Sequence, residues 1–305
     1  MFVLNPDPYC LPSYRISPFT TDDIALNEGL PSGDQVDAFF ADRSPAARII
    51  YTRNGREALN IALAFYQLQK DDVVTIFTTS GNFYISSCVT KEIEKFCKWS
   101  RQIEDSSKVI IANHEFGFPV SNLEDFKKYG LPIIEDCAHS FYSQDPEKRI
   151  GTVGDFVVYS APKIFPIQVG GILKVNVNGY VSEYKEDEAL KEYVKKVMSN
   201  YVAHRETVIR KRVANFTYLE TRFGALGFEP RFELGVDIVP GVFIFKCKEP
   251  HVNLELMKDH FYAHGIQCSI FYGERAFFIP CHQALETLDL DYFVAVMQHF
   301  ISKPD

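Results

Sequence analysis

From residue 48 onward, short apolar runs alternate with helix-patterned ones, and this alternation constrains the fold more than any other feature of the chain. RIIYT (48–52), DVVTIFT (72–78), KVIIAN (108–113), LPIIED (131–136), DFVVYS (155–160) and GGILKV (170–175) read as strands. They are rich in β-branched residues and lack the apolar–polar alternation of a half-exposed strand, so both faces must be covered. Between them, GREALNIALAFYQL (55–68), YISSCVTKEIEKFC (84–97) and NLEDFKKYG (122–130) read as helices, the last closed by Gly130. Buried strands separated by helices predict an α/β fold, a mostly parallel sheet with helices on both faces. A long charged helical stretch then runs from about Lys185 to Phe223. After it come GVFIFKC (241–247) and IQCSIFY (266–272), read as strands, and 253–265 and 288–301, read as helices. These predict a smaller C-terminal α+β domain. The expected division is 1–180 (large domain with an N-terminal arm), 181–235 (connecting helix) and 236–305 (small domain). The first forty-odd residues either wrap the large domain or reach a partner.

Composition narrows the function classes. With 46% hydrophobic and 24% charged residues, the chain reads as an ordinary soluble globular protein. A net charge of −8 argues against a non-specific nucleic-acid binder, which needs basic stripes. No apolar run approaches the roughly 18 residues that span a bilayer. The N-terminus lacks a basic-then-apolar signal pattern. Seven cysteines without a CxxC pair point to reduced thiols and a cytoplasmic location.

Three stretches at strand ends could carry chemistry. In YTRNGREAL, Asn54 can cap a helix with Glu57 three residues later, and Gly55 allows an anion to approach the free N–H groups. Ordinary capping explains the same residues. In IIEDCAHS, Asp136 ends an apolar strand with Cys137 and His139 close behind. A surface carboxylate explains it equally, and no tetrahedral metal set is visible around it. In VVYSAPKIFPIQVGG, Lys163 is the one charged side chain of residues 157–171. A buried ammonium loses its proton, finds a carboxylate or joins a carbonyl as a Schiff base; a solvated loop lysine is the plain alternative. Together the stretches supply a phosphate cradle, a carboxylate and an amine in chain order, which is what pyridoxal phosphate requires.

On these residues the chain resembles the DegT-type sugar aminotransferases, within the fold type I pyridoxal-phosphate enzymes. The likeness runs from GLPSGDQVDAFF through NGREALNIAL, HEFGFP, IIEDCAHS and IGTVGDFVVYSAPKIFPIQVGG to HGIQCSIFY and FIPCHQAL. Its specific parts are D-x-A-H at Asp136–His139, G-x-x-G-D at Gly151–Asp155, and Ser160 with Lys163 before Gly170 and Gly171. The resemblance implies that Lys163 holds the cofactor and moves protons, and that Asp136 pairs with the ring nitrogen. It places Ala138 against one ring face, His139 near the ring hydroxyl, and Tyr84 or Phe83 on the other face. Gly55, Arg56 and Ser160 fall at phosphate-binding positions. It also implies a homodimer that transfers an amino group, from glutamate or another amino acid, to a keto group of a nucleotide-linked sugar. The alternative is a pyridoxal-phosphate-binding protein with a regulatory or non-transaminase role. Sugar dehydratases of the family replace the lysine with histidine, whereas Lys163 is retained. The chain departs from the family in having Arg56 where a threonine is usual, in placing Ser160 and Lys163 three apart, and in its short length.

Overall fold

The computed structural model describes residues 12–302 apart from 178, 182 and 251; residues 1–11 of the expected N-terminal arm lie outside them. Two short helices, α1 (Asp23–Glu28) and α2 (Gln35–Arg43), precede the first strand. The large sheet is then laid down by β1 (Arg48–Thr52), β2 (Val73–Thr78), β3 (Lys98–Ser100), β4 (Ser107–Asn113), β5 (Ile133–Asp136), β6 (Phe156–Ser160) and β7 (Gly171–Val175), with α3 (Gly55–Phe65) and α4 (Ser87–Ile93) between its first three strands. Their spatial order is β1-β7-β6-β5-β4-β2-β3. The β6–β5, β5–β4, β4–β2 and β2–β3 pairs are parallel, and β7 runs antiparallel to both β6 and β1. Two reversals restore direction, so β1 also points the same way as β6. The mostly parallel α/β sheet is therefore observed.

Burial on both faces follows the strand period of two. Ile50, Phe156, Val158 and Leu173 join Ala58, Leu59 and Leu63 of α3 on one face. Tyr51, Val157, Tyr159 and Ile172 pack on the other against Val36 and Phe40 of α2 and Val194 and Val197. Those valines belong to α5 (Glu188–Ala203), which is followed directly by α6 (Arg205–Gly224). The continuous helix expected over 185–223 is thus two, broken at His204. The stretch 122–130 is a 3-10 run rather than an α-helix, entered at Asn122 (φ 56°) and left at Gly130 (φ 64°), both left-handed.

The small unit holds an antiparallel sheet of order β10-β11-β9-β8, made from β8 (Glu229–Pro230), β9 (Val242–Lys246), β10 (Ser269–Ile270) and β11 (Ala276–Pro280). One face packs on α6, α7 (Leu254–Ala263) and α8 (Thr287–Ile301) through Phe216, Phe243, Phe245, Phe261, Phe277 and Phe293. The other face turns Ile244 and Phe278 toward Phe116 and Tyr84 of the large unit. Only two residues of the expected strand 266–272 pair, and its partner β11 was missed. AFFIP is short, begins with alanine and ends in proline, a weak strand signal. No helix of the described residues is long and apolar enough to cross a membrane.

Gly171 is where the sheet meets the start of α3. A Cβ there would stand 2.2 Å from the Asn54 carbonyl and 2.5 Å from Thr52 Oγ1. Backbone cannot give way as a flexible side chain can. Gly171→Ala is expected to destabilise the fold by about 1–3 kcal/mol, the scale of an overpacked core, read as a lowered Tm.

Candidate active site

Parallel strands present their carboxyl ends at one edge, where open α/β sheets place ligands. Here that edge gathers Asn54 after β1, Asn113 ending β4, Asp136 ending β5 and Ser160 ending β6. Above it lies a cavity of about 410 Å³, closed from the other side by Phe278, Ser269 and Tyr262 of the small unit. Of the sequence-predicted residues, Gly55, Arg56, Tyr84, Asp136, Ala138, His139, Ser160 and Lys163 all line it. Phe83 does not: it is 68% exposed and points into solvent, which leaves Tyr84 as the aromatic of that loop on the cavity wall.

Asp136 is buried, and both of its oxygens are oriented. Oδ1 accepts from the Ala138 N–H at 3.0 Å and Oδ2 from Asn113 Nδ2 at 2.7 Å. Burial raises its pKa, while the Ala138 N–H and Asn113 oppose the rise without cancelling it. No ion pair to Asp136 is formed among the described residues. Lys163 leaves the short 3-10 turn after β6. Burial lowers its amine pKa, against the pull of Cys88 and Asp136. No hydrogen bond or ion pair to its Nζ is formed among the described residues. A half-buried lysine without an ion-pair partner, its amine pKa lowered, is suited to act as a nucleophile.

The lysine turn is clamped from behind by Arg212 of α6, which is fully buried. Its guanidinium donates to the carbonyls of Lys163 (3.0 Å), Ile164 (3.4 Å) and Pro240 (3.1 Å) and to Gln283 Oε1 (2.7 Å). Every partner is neutral, so desolvation prevails and pulls its pKa down to about 10. Arg212 is a positioning residue that sequence reading missed; its position in a charged helix resembles a surface one. Arg212→Met leaves two buried carbonyls without donors and is expected to cost about 2–4 kcal/mol. It should also slow the reaction of Lys163 with pyridoxal phosphate, and Arg212→Lys should restore part of both.

At the start of α3, Asn54 Oδ1 accepts from the Glu57 N–H at 3.1 Å, while the Glu57 carboxylate turns back to the Arg53 N–H at 2.6 Å. The capping box expected from the sequence therefore closes one residue early. The N–H groups of Gly55 and Arg56 are left without partners among the described residues. They form an anion-ready terminus beside Ser160, whose Cβ would lie 3.4 Å from a Cβ at Gly55. The Arg56 side chain is exposed and lies between this cavity and a neighbouring open pocket reached by Glu92 and Lys95.

His139 packs against Phe116 with ring centroids 5.0 Å apart. Its Nδ1 has no hydrogen-bond partner among the described residues, and burial, with the charges of Lys163 and Arg212, holds its pKa well below the usual range. Phe116 sits in the left-handed region (φ 51°, ψ 32°), a strained position for an aromatic residue. The next residue explains the fit: a Cβ at Gly117 would strike the Val239 carbonyl at 2.3 Å. Glu115 beside it is 2% exposed, lines the cavity and has Oε1 unpartnered, with burial raising its pKa. Tyr84 packs on Phe271 at 5.2 Å, and burial pushes its hydroxyl pKa up to about 12.

G-x-x-G-D has a structural task. Buried Glu135, on the opposite face from Asp136, accepts from the N–H groups of Gly151 (2.7 Å), Val153 (2.9 Å) and Gly154 (2.7 Å). This anchors the loop feeding β6. His114 and Cys137 lie near Glu135, but His114 Nδ1 already accepts from the Val120 N–H at 3.0 Å, and both Glu135 oxygens are engaged.

Residues 95–179 match the profile of the DegT/DnrJ/EryC1/StrS aminotransferase family. A dTDP-3-amino-3,6-dideoxy-alpha-D-galactopyranose transaminase of Aneurinibacillus thermoaerophilus is 28% identical over 161 residues. That match covers 45% of this chain and 44% of that protein, under half the length of the relative. The fold is similar to an aminotransferase TlmJ from Streptoalloteichus hindustanus, with a TM-score of 0.72 at 14% identity over 95% of this chain and 99% of that one. It is also similar to an E. coli GDP-4-keto-6-deoxy-D-mannose-3-dehydratase with bound hydrated PLP, with a TM-score of 0.66 at 15% identity over 94% of this chain and 100% of that one. Over residues 95–179, which carry Asp136 and Lys163, this chain is thus similar to the DegT/DnrJ/EryC1/StrS aminotransferase family, on an α/β fold similar to that of solved aminotransferases.

Proposed function

We propose that the chain is a pyridoxal-phosphate-dependent aminotransferase that moves an amino group from an amino acid, glutamate by preference, to a keto group of a nucleotide-linked sugar. The observation that carries this reading is that a half-buried Lys163, unpaired among the described residues, and a buried, oriented Asp136 line one cavity of ligand size. The residues fit the cofactor. A buried carboxylate that forms no ion pair among the described residues suits a pyridinium nitrogen, and the bare N–H groups of Gly55 and Arg56 beside Ser160 suit a phosphate. Ala138 offers a small flat surface on the cavity wall.

Pyridoxal phosphate, when bound, supplies the electron sink that makes an amino-acid Cα–H acidic. Lys163 Nζ would hold the group covalently and would serve as general base and acid for the proton at the amino-acid Cα. Asp136, held by Asn113 and Ala138, keeps a proton on the ring nitrogen. Arg212 keeps the Lys163 turn in place. His139 and Glu115, both with an unpartnered atom, are available to substrate or cofactor oxygens. The Phe116–Phe278–Tyr84 wall excludes water from one side.

In this reading 1–180 bind the cofactor, 181–235 connect, 236–305 cover the site, and two chains associate as a homodimer. Adding pyridoxal phosphate to the purified protein should give the visible absorption of a lysine-linked pyridoxal. Glutamate should bleach it and a keto-sugar nucleotide should restore it. Absorption that no amino acid bleaches would favour the regulatory reading, and no absorption at all would refute cofactor binding. Sedimentation of the loaded protein as a monomer would refute the dimer.

A further inference from the structure

Outside that site, three histidines of the small unit converge. His260 and His264 lie one turn apart on α7, and His299 lies in the last turn of α8. One ring nitrogen from each lies within 4.8 Å of the others. Ring centroids are separated by 4.3 Å (His260–His264), 5.2 Å (His260–His299) and 5.9 Å (His264–His299).

Backbone carbonyls set two of the tautomers. His264 Nδ1 donates to the His260 carbonyl at 2.7 Å, and His260 Nε2 donates to the Val296 carbonyl of α8 at 3.2 Å. A carbonyl only accepts, so the lone pairs sit on His264 Nε2 and His260 Nδ1. His264 is 7% exposed and its Nε2 has no hydrogen-bond partner among the described residues. A buried lone pair left unused needs a reason. Imidazoles whose second nitrogen is tied to a carbonyl are the usual form of ligating histidines, because that bond fixes the ring and raises its basicity.

We propose that His260, His264 and His299 form a binding site for a divalent transition metal of the Zn2+ class, which clamps α7 to α8. Imidazole nitrogen ligands suit Zn2+, Cu2+ or Ni2+ and disfavour Mg2+ and Ca2+. Zinc–nitrogen bonds of about 2.0–2.1 Å at tetrahedral angles set the nitrogens roughly 3.4 Å apart. Closing from within 4.8 Å to that spacing asks for a small shift of the half-buried His260 and His299 rings. A fourth ligand would complete the tetrahedron. The platform is already tied together, since the Tyr292 hydroxyl of α8 donates to the His264 carbonyl at 3.0 Å. Tyr262, on the same helix as His260, lines the active-site cavity, so the clamp would also steady one wall of it.

The test uses the purified full chain, stripped with chelator, titrated with ZnCl2 by calorimetry and with Co2+ alone by visible absorption. One equivalent should bind, with the intense d–d bands of low-symmetry cobalt and a raised Tm. His299→Gln, on a half-exposed position, and His264→Asn should each weaken binding by about tenfold or more. Cys88→Ser, which removes the exposed thiol, should leave it unchanged. No stoichiometric binding by the wild type overturns the site, as does undiminished binding in His299→Gln, which decides the matter if His264→Asn does not fold.

Discussion

Lys163→Ala is expected to remove the visible absorption that pyridoxal phosphate gives with the protein and to abolish measurable amino transfer. Two losses combine. The covalent anchor disappears, and so does the proton carrier, which by itself is worth about 10²–10⁴-fold. The fold should survive, because Nζ makes no hydrogen bond among the described residues and Arg212 holds the turn through main-chain carbonyls that alanine keeps. Far-ultraviolet circular dichroism and Tm should therefore stay near those of the wild type. The wild-type lysine also makes a pH prediction. Only the neutral amine attacks a carbonyl, and burial sets the Lys163 pKa below the 10.5 of an exposed lysine. Attachment should accelerate as pH rises and level off below that value. A rate that continues to rise beyond it, or full absorption in the alanine variant, would place the attachment elsewhere.

Asp136→Asn should retain the absorption and lose most of the turnover, by about 10²–10³-fold, the range for removing one electrostatic group aimed at the reacting centre. The shape is conserved, and the amide oxygen can still accept from the Ala138 N–H. What vanishes is the negative charge that makes a proton on the ring nitrogen favourable in a buried place. The defect should fall on kcat more than on binding, since Gly55, Arg56, Ser160 and Lys163, the other residues proposed to hold the cofactor, are unchanged. Turnover close to the wild type would reduce Asp136 to a strand-end carboxylate.

The alternation of buried strands and helices was readable because a two-face-buried strand leaves a run of β-branched residues that no exposed element tolerates. The C-terminal region was less legible. AFFIP is paired on both sides by β9 and β10, yet its five residues carry no period. The long helical pattern 185–223 could not reveal its break at His204, since helical residues continue on either side and only the packing of α5 on α2 and of α6 on the small sheet separates them.

The candidate site divides in the same way. Asp136, Lys163, Ser160 and Gly55 were visible because each is unusual where it stands: a charge closing an apolar strand, a lone amine in an uncharged run, a glycine opening a helix. Those residues and the α/β class were determined by sequence alone. Their convergence was decided by the tertiary structure, since parallel pairing of β5 with β6 and the two antiparallel pairings through β7 bring the ends of β1, β5 and β6 to one edge. Only the fold could show that Arg212 is buried behind the lysine turn, that Phe83 faces solvent while Tyr84 faces the cavity, and that His299 meets His260 and His264. Local pattern records which way a side chain faces its own element; which neighbour it meets across 35 or 50 residues is set by packing.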